Sequence, residues 1–225
     1  MPKRKLKRKD MKQTIIAATI FLLVAFDLSA QKKVDFGIKN ENEFSLSLSA
    51  GYAYIDGIAG LSNYANRYNN KMRFGFDYNF QFEYRKSRFT AGVIASVFNS
   101  NGSAEFSSDD IFINNFAVQA GAYWLLPELH KFSLKTAAGL GLCTYTNNSK
   151  VFGRKRYISE NAFSIHTHHE VAYKLSPNWA IALNVLLTWS EKWAFDVNYH
   201  DETFVVEQYL PLSKISASIG IKYTF

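Results

Sequence analysis

Lys214-Ile-Ser-Ala-Ser-Ile-Gly-Ile-Lys-Tyr-Thr-Phe225 is the stretch whose reading decides the fold. Ile215, Ala217, Ile219, Ile221, Tyr223 and Phe225 recur at every second position, with Ser216, Ser218, Gly220, Lys222 and Thr224 between them. A β-strand repeats every two residues, so this stretch has one apolar and one polar face. From Ile215 to Phe225 the chain takes roughly ten steps of ~3.3 Å, and a tilt of ~40° reduces that run to ~25 Å, the height of a membrane's apolar band.

Seven more strands of the same kind precede it. The second is the strongest: Met72, Phe74, Phe76, Tyr78, Phe80, Phe82 and Tyr84 alternate with Arg73, Gly75, Asp77, Asn79, Gln81, Glu83 and Arg85. Seven large side chains on one face do not fit inside a narrow barrel, so they are expected to face lipid. The first strand carries Phe44 to Tyr54, the third Phe89 to Val97 and the fourth Phe116 to Trp124. The fifth carries Phe132 to Leu142, the sixth Phe163 to Leu175 and the seventh Trp179 to Trp189. The sixth puts Thr167 and His169 on the lipid face, where a bulge would re-aim the histidines. Short turns follow the even strands, and long polar segments (56–71, 99–110, 146–161 and the connection after the seventh strand) follow the odd ones. The expectation is an all-β, eight-stranded antiparallel up-and-down transmembrane β-barrel over 43–225, with both termini periplasmic. Tyr84, Phe89, Trp124, Phe132, Tyr173, Trp179, Tyr223 and Phe225 fall at the periplasmic strand ends, as an interfacial girdle would.

The pattern resembles small outer-membrane β-barrels of the OmpX or OmpA-transmembrane type, on alternation, loop asymmetry and the terminal Phe225. The resemblance implies an outer-membrane protein whose last strand, through Tyr223 and Phe225, is the signal read by the barrel-assembly machinery. It differs from full-length OmpA in ending at the barrel, with no peptidoglycan-binding domain.

Residues 1–30 read as a signal peptide: a basic block from Lys3 to Lys12, an apolar run from Ile15 to Phe26, and a small residue, Ala30, before Gln31. Residues 31–42 read as a periplasmic lead. The formal charge of +7 falls to +2 without residues 1–30, since 19 basic and 17 acidic residues remain. That removes the electrostatic case for a nucleic-acid partner. Cys143 is alone, so it forms no internal disulfide.

The polar faces nominate an interior network of Arg73, Asp77, Glu83, Arg85, Lys135, His166, His168, Glu170, Lys174 and Lys222. Charges confined in an eight-stranded interior are expected to pair and fill it; the alternative is a narrow gated ion path. His166, His168 and Glu170 share one strand face, and two imidazoles with a carboxylate suit zinc or acid/base chemistry if another strand completes the site. No His-x-Ser pattern of lipid A deacylases or acyltransferase signature accompanies them, so no catalytic residue, metal or cofactor is assigned. A lipid A-modifying enzyme and a soluble lipocalin-like binder are the rival readings.

In the third external segment, Lys150, Arg154, Lys155 and Arg156 are candidate contacts for lipopolysaccharide phosphates, or simply a solvated charge run. Trp193, Phe195, Val197 and Tyr199 continue the alternation past the seventh strand, and 203–208 is β-prone. These suggest a projecting hairpin whose edge offers pairing to a surface protein, or else a loose loop. A monomer surrounded by outer-membrane lipid is expected.

Overall fold

The computed structural model describes residues 42–55, 72–104, 106–126 and 131–225. The expected signal peptide, the expected periplasmic lead up to residue 41 and the first external segment, 56–71, lie outside the described residues; Asn42, expected to end the lead, opens the first strand. Nine strands follow in order: β1 (Asn42–Ile55), β2 (Phe74–Lys86), β3 (Phe89–Ala104), β4 (Ser107–Leu125), β5 (Phe132–Val151), β6 (Arg154–Lys174), β7 (Trp179–Tyr199), β8 (Glu202–Pro211) and β9 (Lys214–Thr224). Each pairs antiparallel with its neighbours, and β1 pairs with β9 from Ser45↔Thr224 to Ile55↔Lys214, which closes the ring. The β7 strand pairs with β9 over Trp179–Thr188 and with β8 over Glu191–Tyr199, so β8 and β9 form one interrupted stave. The barrel therefore has eight staves.

Alternation sorts the side chains as the period of two requires. Phe74, Phe76, Tyr78, Phe80 and Phe82 are exposed, whereas Asp77, Asn79, Gln81 and Glu83 between them are buried. Exposed Phe116, Val118, Leu140, Leu142, Phe163, Ile165, Leu183, Val185, Ile219 and Ile221 continue the apolar belt around the ring. A polar interior with an apolar exterior makes sense only where the exterior solvent is lipid. At the turn end, aromatic pairs rim the belt: Phe132 with Tyr173 (4.9 Å), Trp179 with Tyr223 (4.8 Å) and Tyr223 with Phe225 (5.0 Å between centroids).

The strands outrun the sequence expectation. Segments 99–110 and 146–161 are arms of tight hairpins rather than loops, with β3 pairing β4 up to Ala104↔Ser107 and β5 pairing β6 up to Val151↔Arg154. Along these arms the rule inverts. Ile111, Ile113, Tyr145 and Ile158 point inward and are buried, while Asp110, Asn148 and Lys155 point outward. Met72, assigned to the lipid face from sequence, is buried in this same inner cluster because it precedes β2.

The seventh and eighth strands form the projecting hairpin. One extra residue in β7 shifts its register against β6, and Ala194 takes φ +61° at the irregularity. The face therefore flips. Trp193 is 64% exposed and Phe195 only 4%, so the two do not share a face as plain alternation would have it. No such shift occurs near the histidines: His169 stays on the outer face opposite Thr136, whose Oγ1 lies 3.2 Å from its Nδ1.

Candidate functional site: the barrel interior and the outer hairpins

The interior is built in layers. Nearest the turns, Arg85 pairs with Glu43, and its guanidinium sits 4.1 Å from the centre of the Tyr123 ring. Next comes a closed ring of alternating charge contributed by β2, β5, β6 and β9. Lys135 Nζ lies 2.7 Å from Glu83 Oε1 and 3.0 Å from Glu170 Oε2. Lys222 Nζ lies 2.7 Å from Glu170 Oε1 and 3.2 Å from Glu83 Oε2. Two cations and two anions cancel, and each carboxylate oxygen has an ammonium partner, which is how buried charge is tolerated.

Above the ring, His166 Nε2 meets Gln119 Oε1 at 3.2 Å and His168 Nε2 meets Asn184 Oδ1 at 3.0 Å. The Cβ that Gly139 lacks would stand 2.2 Å from the Val118 carbonyl oxygen and 2.4 Å from the His166 ring, so the glycine makes room for both the neighbouring strand and that imidazole. Higher still, Asp77 pairs with Lys214, accepts from Ser216 Oγ at 2.5 Å, and shares Lys214 with Ser96 at 2.8 Å. Over this second neutral cluster lies an apolar one that includes Ala53, Phe98, Ile113, Tyr145, Phe195 and Leu210.

Of the sequence-nominated residues, Asp77, Glu83, Lys135, His166, His168, Glu170 and Lys222 are buried inside. Arg85 is at the turn-end rim. Lys174 is not in the network: it is the exposed last residue of β6. Arg73 is also outside, because it precedes β2 and donates to the outward Tyr54 hydroxyl at 3.0 Å. Lys214 was missed, although it lies two residues before Ser216 on the polar face of the stretch that decides the fold. The external apolar cluster was missed as well.

His166, His168 and Glu170 do not converge. Each histidine turns to a different amide, and both Glu170 oxygens are held by lysines. Among the described residues no three His, Cys, Asp or Glu side chains are grouped so as to hold a metal ion.

On the hairpin arms, Arg156 points inward and donates to Asp109 (2.8 Å) and Ser149 (2.7 Å), so its charge is engaged behind the sheet. Lys150 and Lys155 are exposed and directly opposite one another on the outer face, while Arg154 lies at the turn. The four basic residues are thus not one patch.

A closed antiparallel ring with an apolar belt and paired charges inside is a transmembrane β-barrel of the small outer-membrane type. Solved structures similar to this chain bear out that fold. They include a major outer membrane protein from Thermus thermophilus (TM-score 0.57, 10% identity, covering 82% of this chain and 100% of that one). Neisserial surface protein A gives a TM-score of 0.54 at 13% identity, covering 81% and 97%. OprG from Pseudomonas aeruginosa gives 0.50 at 12% identity, covering 80% and 95%. No family model matches the chain. No curated protein matches it in sequence either.

Proposed function

We propose that this is a non-enzymatic outer-membrane barrel, closed to solute flow, that presents the β3–β4, β5–β6 and β7–β8 hairpins at the cell surface and keeps its termini in the periplasm. The observation that carries this reading is the succession of packed groups inside: two neutral charge clusters and, beyond them, an apolar cluster. The apolar cluster opposes a water path, because its side chains, the Tyr145 hydroxyl apart, offer nothing that replaces an ion's hydration. The two interior histidines, 0% and 2% exposed, are out of reach of a lipid on the outer wall, which argues against lipid A chemistry. The short turns at one end and the long hairpins at the other support the orientation. The terminal strand, with Phe225 bonded through its N–H to Phe44 O at 2.9 Å, is the element offered to the assembly machinery.

Purified barrel in planar bilayers tests closure: no stepwise current is expected up to voltages at which the lipid itself fails, and regular conductance steps would overturn it. Mass spectrometry of lipid A from cells with and without the barrel tests the absence of enzyme activity, where identical spectra are expected.

A further inference from the structure

Two phenylalanines stand at the ends of adjacent hairpins, Phe106 in the turn between β3 and β4 and Phe152 in the turn between β5 and β6. Phe152 N–H donates to Phe106 O at 2.8 Å, and the two rings stack with centroids 5.6 Å apart and 26° between their planes. The stack hides little of either ring: Phe106 is 57% exposed and Phe152 73%. Phe152 has φ +49° and Gly153 φ +76°, the conformation of a two-residue hairpin turn that asparagine and glycine adopt without strain and a bulky side chain does not. Strain and apolar exposure at the same position do nothing for the fold, and together they mark a surface kept for contact with something else.

The barrel's own lipid is out of reach of these rings. Leu142 is the last outward apolar residue of β5 in the belt, and Phe152 lies ten residues further on, ~33 Å along a strand and ~25 Å in height after a tilt of ~40°. The groups around the rings carry charge of both signs. Arg154 and Lys155 are exposed on the β5–β6 hairpin, and Asp201 and Glu202 are exposed at the β7–β8 turn. The two turns are neighbours, because His200 N–H donates to Lys155 O at 3.4 Å.

We infer that these hairpin ends dock on a second phospholipid bilayer facing the cell, with Phe106 and Phe152 entering its interfacial layer. The mixed charges then meet zwitterionic headgroups, the cations at the phosphate and the carboxylates at the quaternary ammonium. Three points select this occupant. Apolar rings flanked by charged side chains are the groups that settle into a bilayer interface. A bilayer receives projecting rings without a preformed pocket, whereas a small molecule needs a concave site to enclose it. Neighbouring charges of opposite sign match a surface that carries both, while a polyanion would meet Asp201 and Glu202 as like charge. The assignment rests on the hairpins facing outward, as proposed above.

The test uses the full barrel reconstituted in phosphatidylcholine vesicles, with fluorescent, protein-free phosphatidylcholine vesicles as acceptors. Barrel-dependent tethering of the acceptors is expected, with no requirement for an anionic lipid. Phe106→Ser/Phe152→Ser should reduce it roughly tenfold or more, the loss that follows when two buried phenylalanines are withdrawn, with heat-modifiable migration showing that the variant is folded. Tyr157→Ser removes an exposed aromatic lower on the same arm and should leave tethering unchanged. Tethering that the double serine variant keeps, or tethering only to acceptors containing phosphatidylglycerol, would overturn the assignment. So would no tethering at all, which would leave the rings to a protein partner. Labelling of Phe152→Cys with an impermeant maleimide gives the fraction of hairpins facing out of the vesicles, and the same label is applied to intact cells. Labelling on cells without tethering sinks the docking alone, whereas no labelling on cells sinks the orientation on which it rests.

Discussion

Removing one member of the four-charge ring should cost far more than removing a matched pair. In Lys135→Met, Glu83 and Glu170 keep only Lys222 between them, and one uncompensated negative charge stays in an interior where all four side chains are at most 11% exposed. Breaking a buried pair by deleting one partner costs about 3–5 kcal/mol. Glu170→Gln leaves the opposite imbalance and belongs in the same range. In the double variant the remaining Glu83–Lys222 pair, 3.2 Å apart, is neutral again. The double variant should therefore lose less than the roughly 6–10 kcal/mol that additive losses would give, by about 0.5–3 kcal/mol or more. The assay is equilibrium urea unfolding in lipid vesicles, followed by tryptophan fluorescence and by heat-modifiable gel migration. Costs that add to within about 0.5 kcal/mol would refute the closed ring, because independent sites add to that tolerance.

Other consequences follow from single positions. Ala194→Gly should stabilise the barrel by about 0.5–1 kcal/mol in the same unfolding assay, because alanine is strained at φ +61° and glycine is not. Cys143, 0% exposed inside the wall, should resist maleimide in the folded barrel and react fully once the protein is unfolded in urea. Gly139→Val should displace His166 and cost several kcal/mol, about 1–3 from overpacking plus a lost buried hydrogen bond, read as a lower urea midpoint. Phe225→Ala should reduce the folded fraction recovered from cell envelopes while the purified chain still refolds in detergent. Equal refolding and equal envelope yield would remove Phe225 from assembly.

The fold was legible in the sequence wherever lipid imposes one rule. Along β2 and β9 every outward position in the belt is apolar, so these two strands declare themselves residue by residue, whereas β6 carries His169 on the same face. The interior charges were legible as a set, because the polar face of each strand must go inside. Their partners were not, since pairing Glu83 with both Lys135 and Lys222 depends on strand order and stagger around the ring. Lys174 and Arg73 show the same limit from the other side: both have the right parity, yet each stands at a strand end where parity stops fixing the environment. The hairpin arms escaped notice because their outward residues are polar, and Asn147-Asn148-Ser149 and Asn101-Gly102-Ser103 read locally as loop.

The face on which apolar residues fall carries more information than strand length alone. On β4, Phe116 and Val118 point outward, and past Asn114-Asn115 it is Ile113 and Ile111 that are apolar, pointing inward. On β5 the exchange runs from outward Leu140 and Leu142 to inward Cys143 and Tyr145, and on β6 from inward Ile158 to outward Phe163 and Ile165. Outward Phe112 and Tyr157 are exceptions, aromatics among the polar residues of their rows. Lipid demands apolar side chains outside and water demands them inside, so the exchange of faces marks the level at which lipid gives way to water. Below it the interior is filled by charge that must be paired. Above it the wall becomes an ordinary half-buried sheet with a core of its own. β7 makes the exchange differently: the extra residue at Ala194 rotates Phe195 inward although Trp193 and Phe195 are two residues apart in the sequence. That explains why alternation read from sequence misplaced Trp193 and Phe195 on one face.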